Sequence, residues 1–413
     1  MNDVAVDMPA TDVAIATPAR RPGLLLLMIA SYFMFGMVMN VLGVVIPLVI
    51  TQYRLSLFVA GLLAFAFYIA IGLLSVPAGI LADRFGSREI VLAGLGLMTL
   101  SCIGIAWIHI FAVMAVLTFG IGAGVALLQT AGNPLIILLD EPDHYHRNLT
   151  LTIGFCGVGA FIGPLLLSYI QSSGHPWQTT YAVFAVLLGT IFVSLFLMPF
   201  PKTAPVVEKF KLSQVGALLA HPIVITYGLG IFFYVGAEVG TASWIVKFFE
   251  QVHGIQQQTS SGGGALAKLA PSLPALTVAL FWGLQGLGRL ISSYGIQKLG
   301  GRGILRTYSI LALACLLLAV YGPVGTVAWG FAACGFFTSV LFTLLFSGAV
   351  KSFTWSQSTI SGVLCAASIG GAFIPPLVGL TAEHTGMRAA MLIPATCFAI
   401  VAGIAFLGKA RFD

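Results

Sequence analysis

The feature that most constrains this chain is a succession of twelve apolar runs, each long enough to cross a lipid bilayer. The hydrocarbon core of a bilayer is roughly 30 Å thick, and a helix rising about 1.5 Å per residue needs about 20 mostly apolar residues to traverse it. The runs occupy 23–50, 58–82, 89–108, 110–139, 149–173, 178–199, 222–248, 272–298, 304–321, 324–350, 358–382 and 388–408. They are continuous, not alternating at every second residue, so they predict helices and not barrel strands. Charged residues make up only 8% of the chain, against roughly 25% in an ordinary soluble domain. Such a chain cannot clothe a water-facing surface, and lipid removes the need to.

Basic residues set the orientation. With an even number of spans and an inside N-terminus, fifteen of the nineteen Lys and Arg fall on one side, leaving Arg54, Lys247, Lys268 and Arg388 on the other. The net charge of +6 is therefore a topology signal and not a nucleic-acid surface. Both termini are expected in the cytoplasm of a cell whose inner (plasma) membrane holds the protein. No cleavable signal peptide is expected, because residues 1–19 are polar or small and the first apolar run is too long for one.

An internal repeat divides the chain. Gly159-Ala160-Phe161-Ile162-Gly163-Pro164 matches Gly371-Ala372-Phe373-Ile374-Pro375-Pro376 at an offset of 371 − 159 = 212 residues, and the same offset carries Gly174 onto Gly386. The offset is close to half the chain, so the repeat unit is one half of the protein. The resulting expectation is an all-α membrane protein of twelve transmembrane helices in two pseudo-symmetric six-helix bundles. Its segments are a disordered cytoplasmic N-terminus 1–22, an N-terminal bundle 23–199, a cytoplasmic linker 200–221, a C-terminal bundle 222–408 and a tail 409–413. The small residues and prolines of the repeated segments allow close helix approach and bending, so packing and gating roles both stay open.

Several features have plainer readings. Residues 251–271, rich in Gly, Ser and Gln, read as a flexible outside loop. All six cysteines lie within spans and form no metal or disulfide pattern. The seven histidines fall at span ends or in loops, and His144 with His146 beside Asp140, Glu141 and Asp143 reads as a solvated turn. The Asn148-Leu149-Thr150 sequon lies on the inside face. No phosphate-binding loop is present, no cofactor or metal is expected, and no His, Asp or Ser cluster at one depth suggests an enzyme.

Between the second and third spans stands Gly79-Ile80-Leu81-Ala82-Asp83-Arg84-Phe85-Gly86-Ser87-Arg88. It resembles the G-x-x-x-D-R-x-G-R-[KR] loop of the major facilitator superfamily, departing at Ser87. The tight turn needs Gly86, Gly79 would permit close contact with a neighbouring helix, and Asp83 could pair with basic groups or cap a facing helix. The resemblance implies that Asp83, Arg84 and Arg88 latch the inner gate. A degenerate copy, keeping Arg289 but lacking the Asp, runs from Gly288 to Arg302. In the fourth span, Gln129-Thr130-Ala131-Gly132-Asn133-Pro134 is similar to the E-T-A-A-N-P segment of the fucose–galactose–glucose:H⁺ symporter branch. Tyr234-Val235-Gly236-Ala237-Glu238 resembles that branch's Y-V-G-A-[EQ], and Asn40 precedes Ile46-Pro47 as in its sugar porters.

The chain departs from that branch where a proton would bind. Gly43 stands where the pattern has Asp, and Gln129 where it has Glu. Neither residue titrates near neutral pH. Glu238 is the acidic residue left deep in a span, where a carboxylate is costly and usually faces a polar cavity. Hydrogen bonding to sugar hydroxyls, proton coupling and a structural bond to a neighbouring helix all remain open for it. Asn40, Gln129, Asn133 and Gln285 lie near span midpoints, and amides both donate and accept, as hydroxyl-rich solutes require. Tyr234 and Trp282 could stack on an apolar sugar face, whereas Trp244 reads as an interfacial anchor or gate.

These readings converge on an alternating-access transporter for a small polar solute, foremost a monosaccharide, working as a uniporter or a weakly ion-coupled symporter. The expected partners are that substrate, H⁺ or Na⁺ as coupling ion, and the lipid bilayer, with no nucleic acid and a monomeric state. An exporter of drugs or amphipathic metabolites and a transporter-like receptor are the alternatives.

Overall fold

The computed structural model describes residues 21–137, 139, 145–200, 221–256, 272–352 and 357–408. Nearly all of the expected N-terminal segment 1–22 and linker 200–221, the acidic turn with His144, most of the 251–271 loop and the tail 409–413 lie outside the described residues. Twelve helices long and apolar enough to cross a membrane run through what is described. Six precede residue 200, namely α1 (Pro22–Asn40, resuming as Leu42–Tyr53), α2 (Leu57–Phe85), α3 (Ser87–Trp107), α4 (Phe111–Ile137), α5 (Tyr145–Ser172) and α6 (Gln178–Leu197). Six follow residue 221. They are α7 (Pro222–His253), α8 (Leu273–Ser292), α9 (Gly300–Tyr321), α10 (Val324–Thr338, resuming as Leu341–Lys351), α11 (Gln357–Ala366, a 3-10 turn, then Gly370–Thr385) and α12 (Met387–Ala390, then Leu392–Leu407). Helix α7 continues to His253, so the start of the expected 251–271 loop is helical.

The repeat is visible in backbone conformation. Gly174 and Gly386 both have φ +83°, a left-handed value that glycine adopts without penalty, and each turns the chain between the fifth and sixth helices of its half. Gly86 (φ 99°, ψ 150°) and Gly300 (φ 71°, ψ 157°) turn it between the second and third. Just beyond those turns, Arg88 donates to the Phe196 carbonyl at the end of α6, and Arg302 donates to the Gly408 carbonyl at the end of α12. Helix C-termini leave carbonyls without intrahelical partners, and the same device satisfies them in both halves.

Small residues set the helix spacing. A Cβ at Gly36 or Gly159 would overlap the backbone carbonyl of Cys156 or Phe33, which brings α1 and α5 into backbone contact; Gly370 against Phe232 does the same for α11 and α7. The two halves then meet along α2–α11, α5–α8 and the second part of α1 with α7. Gly157 and Gly286 face each other at the α5–α8 crossing, where a Cβ on one would lie 3.1 Å from the other's Cα.

Contact between the halves is strongest at the end remote from the first and last described residues. There the Phe58 amide of α2 donates to Glu383 Oε1 of α11 at 2.7 Å, and the Ser272 amide lies 3.4 Å from Ser168 Oγ. A Cβ at Gly61 would lie 2.8 Å from Pro376 Cα. At the other end, α4 and α10 show no comparable packing among the described residues. The far end is therefore the one that these contacts between the halves hold shut, while among the described residues the near-end contact runs between α2 and the first part of α11.

Candidate functional site

The most polar buried cluster is built on α7, α8 and α10. Tyr234 and Glu238 are four residues apart on α7, and Gln285 and Arg289 are four apart on α8, so each pair shares one helix face. Glu238 is only 8% exposed. Its Oε1 lies 2.6 Å from the Tyr234 hydroxyl and accepts from Gln285 Nε2. Burial of a carboxyl is tolerable because these partners replace water. The Tyr234 hydroxyl also lies 3.0 Å from the Thr338 carbonyl, and Arg289 Nε donates to the Ser339 carbonyl at 3.2 Å. Helix α10 breaks here, with Ser339 and Val340 separating its two parts and Val340 at φ −115°, ψ 0°. The break removes intrahelical donors from these carbonyls and leaves them for side chains of α7 and α8, as non-helical backbone at membrane depth requires.

On the other half, Asn133 of α4 is exposed and accepts from the Tyr32 hydroxyl at 2.6 Å. Gln129, one turn earlier, is half-buried. Asn40 is 6% exposed; its Nδ2 donates to the Gly36 carbonyl at 2.9 Å, and its Oδ1 has no hydrogen-bond partner among the described residues. Gly43 packs on the Ala242 carbonyl, so Asn40, one turn earlier on α1, comes level with Glu238 and Val239 on parallel α7. The Cys156 carbonyl of α5 lies against Gly36, one turn before Asn40, and the next residue, Gly157, faces Gly286 beside Gln285, which brings the two polar groups to one central region. Trp282 is buried one turn before Gln285, edge to face with Phe281.

Tyr234, Glu238 and Gln285 are thus joined directly, Asn40 stands level with them, and Asn133 belongs to a separate pair with Tyr32. Residues of this region that the sequence reading passed over are Tyr32, Tyr68, Thr338 and Ser339. Tyr68 of α2 lies against Gly371 of α11. The one available signal was the polar pair Thr338-Ser339 inside an otherwise greasy run.

Three expectations need correction. Trp244 is fully buried and its Nε1 donates to the Pro375 carbonyl at 2.9 Å, so it joins α7 to α11 and is not an interfacial anchor. A Cβ at Gly79 would meet only Thr130 Cγ2 at an ordinary 3.5 Å, so Gly79 is not a point of unusually close approach. Arg289, expected as a gating counterpart at the inner turn, reaches the α10 break. Among the other loop residues, Arg84 is exposed beside the Phe85 ring, and Arg88 contacts Glu89, Phe196 and Phe200 of its own half. The Asp83 side chain lies outside what the structure describes.

The model of the Major Facilitator Superfamily matches residues 28–363. The chain is similar to a glucose/galactose transporter of Brucella abortus, 26% identical over 92% of each protein. It is also similar to the L-fucose-proton symporter of Escherichia coli, 25% identical over 91% of this chain and 90% of that one. The crystal structure of the E. coli fucose:proton symporter superposes with a TM-score of 0.65 at 21% identity, covering 94% of this chain and 98% of the other.

Proposed function

The chain belongs to the Major Facilitator Superfamily, and on that premise we propose that it carries a monosaccharide across the cell inner membrane by alternating access. The observation that carries this reading is the Glu238 cluster, a buried carboxyl and amide beside two freed carbonyls at the level where the halves meet. Sugar hydroxyls donate and accept, so they could exchange for Gln285 and Tyr234 on Glu238 and donate to the unpartnered Asn40 Oδ1. Asn133 and Gln129 offer amides from the other half, and Trp282 and Tyr234 offer ring faces. Relatives named as glucose/galactose transporters and an L-fucose-proton symporter support this substrate class. With both termini on the cytoplasmic side, the end held shut by Phe58 and Glu383 faces outward. The bundles 23–199 and 222–408 then rock about the α2–α11 and α5–α8 contacts. In the outward-open phase, Asp83, Arg84 and Arg88 close the inner end.

Coupling, where it operates, resides at Glu238. One hydroxyl proton of Tyr234 stands between two acceptors, the carboxyl and the Thr338 carbonyl. Protonation lets Glu238 donate to Tyr234 and turns the Tyr234 proton toward Thr338, so the carboxyl changes from acceptor to donor without moving a helix. The test is uptake of radiolabelled glucose and galactose into proteoliposomes with and without an imposed pH gradient. Gln285→Ala and Asn133→Ala should each weaken sugar affinity, and unchanged affinity in both discards the pocket. Gradient-driven uptake that survives Glu238→Gln removes Glu238 from coupling.

A further inference from the structure

Helix α8 meets a different neighbour on each side. Gly283 and Gly286 pack on Phe161 and Gly157 of α5 in the other half, Gly288 packs on Phe336 and Ser339 of α10, and Gln285 reaches Glu238 of α7. Leu287, Leu290 and Ile291 are exposed on the remaining face, the one turned to lipid. With 3.6 residues per turn, Arg289 stands about 40° from Gln285 and about 60° from Gly286, on the arc between them. It therefore faces the interior, between α7 of its own half and α5 of the other.

A guanidinium carries five N–H donors. Arg289 uses one of them, on Nε, for the Ser339 carbonyl at 3.2 Å. The donors on Nη1 and Nη2 have no hydrogen-bond partner among the described residues, and neither nitrogen is sealed from the surrounding space. Arg289 forms no ion pair with a described carboxylate. Glu238 is differently placed, since its Oε1 is already engaged by Tyr234 and Gln285. The acid of the cluster is thus answered by neutral donors, while the terminal fork of the cation is unanswered. A charge at membrane depth ordinarily has a partner or lies on a substrate path.

We propose that Arg289 determines specificity in this site and that the monosaccharide it selects is a sugar acid, a hexuronate whose carboxylate takes the paired Nη donors. This rests on the sugar reading above, because the ring hydroxyls still go to Glu238, Gln285 and Asn40. A planar carboxylate accepts two parallel bonds from a guanidinium, which fixes direction as well as charge. The hydroxymethyl group of a neutral hexose offers one oxygen and no charge at that position. A phosphate ester would set nearly two negative charges against one guanidinium, with Glu238 on the neighbouring helix, so the charge count favours the monoanion. Gln285 and Arg289 are four residues apart on one face, about 6 Å along the axis. That separation is comparable with the reach of a hexuronate from its C6 carboxylate to the hydroxyls across the ring.

The test is isothermal titration of the full chain in detergent with D-galactose, D-galacturonate and methyl D-galacturonate, the last having nearly the shape of the acid without its charge. Wild type should bind galacturonate about ten-fold more tightly than either neutral sugar, as a charge-assisted pair of bonds implies. Arg289→Gln, which keeps an amide for the Ser339 carbonyl, should erase the preference for the acid over its ester. Galactose bound as tightly as galacturonate by wild type overturns this inference and leaves the sugar reading standing. Binding of none of the three overturns both. Retention of the full acid preference in Arg289→Gln removes Arg289 from the role. Should that variant fail to fold, the wild-type comparison of acid with ester decides the matter by itself, equal affinities overturning the proposal.

Discussion

The bond from the Phe58 amide to Glu383 spans the two halves at the closed end, and it must break for that end to open. Phe58 lies in the first turn of α2, where amides lack intrahelical partners and the dipole favours a negative charge. Ser56 serves the Val59 amide, and Glu383 serves Phe58 from across the interface. Glu383 is exposed, so its bond competes with water and is worth roughly 1 kcal/mol, the upper part of the range for an acid at an exposed helix N-terminus. Removing it should multiply the open-to-closed ratio of the far end by about five. Double electron–electron resonance between spin labels at Ser173→Cys and Gln251→Cys, on a background lacking the native cysteines, would read that ratio. Glu383→Ala should raise the long-distance population about five-fold, and Glu383→Gln, which keeps an acceptor but loses the charge, should raise it less. An unchanged distance distribution in Glu383→Ala would refute the idea that this contact helps hold the far end shut.

Two further outcomes follow from packing. Gly36→Ala forces a Cβ onto the Cys156 carbonyl, so it should lower stability by about 1–3 kcal/mol, whereas Gly154→Ala, with nothing within 4 Å, should be neutral or slightly stabilising; thermal unfolding in detergent separates them. Trp244→Phe keeps most of the ring and loses the donor to Pro375. It should cost about 1 kcal/mol and loosen α7 from α11, read as a lower melting temperature with the twelve-helix circular dichroism spectrum retained.

Much of the architecture was legible in the chain because lipid imposes a simple demand. Backbone polar groups facing lipid must be satisfied within their own helix, so helix number and span follow from run length. The repeat was equally legible, and the pair Gly174 and Gly386 proved to share one backbone conformation. Glu238, Tyr234 and Gln285 could be nominated as depth-matched polar residues. Their mutual bonding could not be, since it depends on the rotation of α8 against α7, which small differences in side-chain packing set.

What the sequence determined by itself was therefore the class, the twelve spans, the two-fold internal plan and the chemistry of the residues at mid-depth. Tertiary structure decided which of those residues touch, that α10 breaks at Ser339 to free the carbonyls Tyr234 and Arg289 use, and that Trp244 is buried. It also decided which end is closed. Hydrophobic run length is a property of one segment against its solvent, whereas these contacts are differences between segments of nearly equal greasiness, which only close packing can resolve.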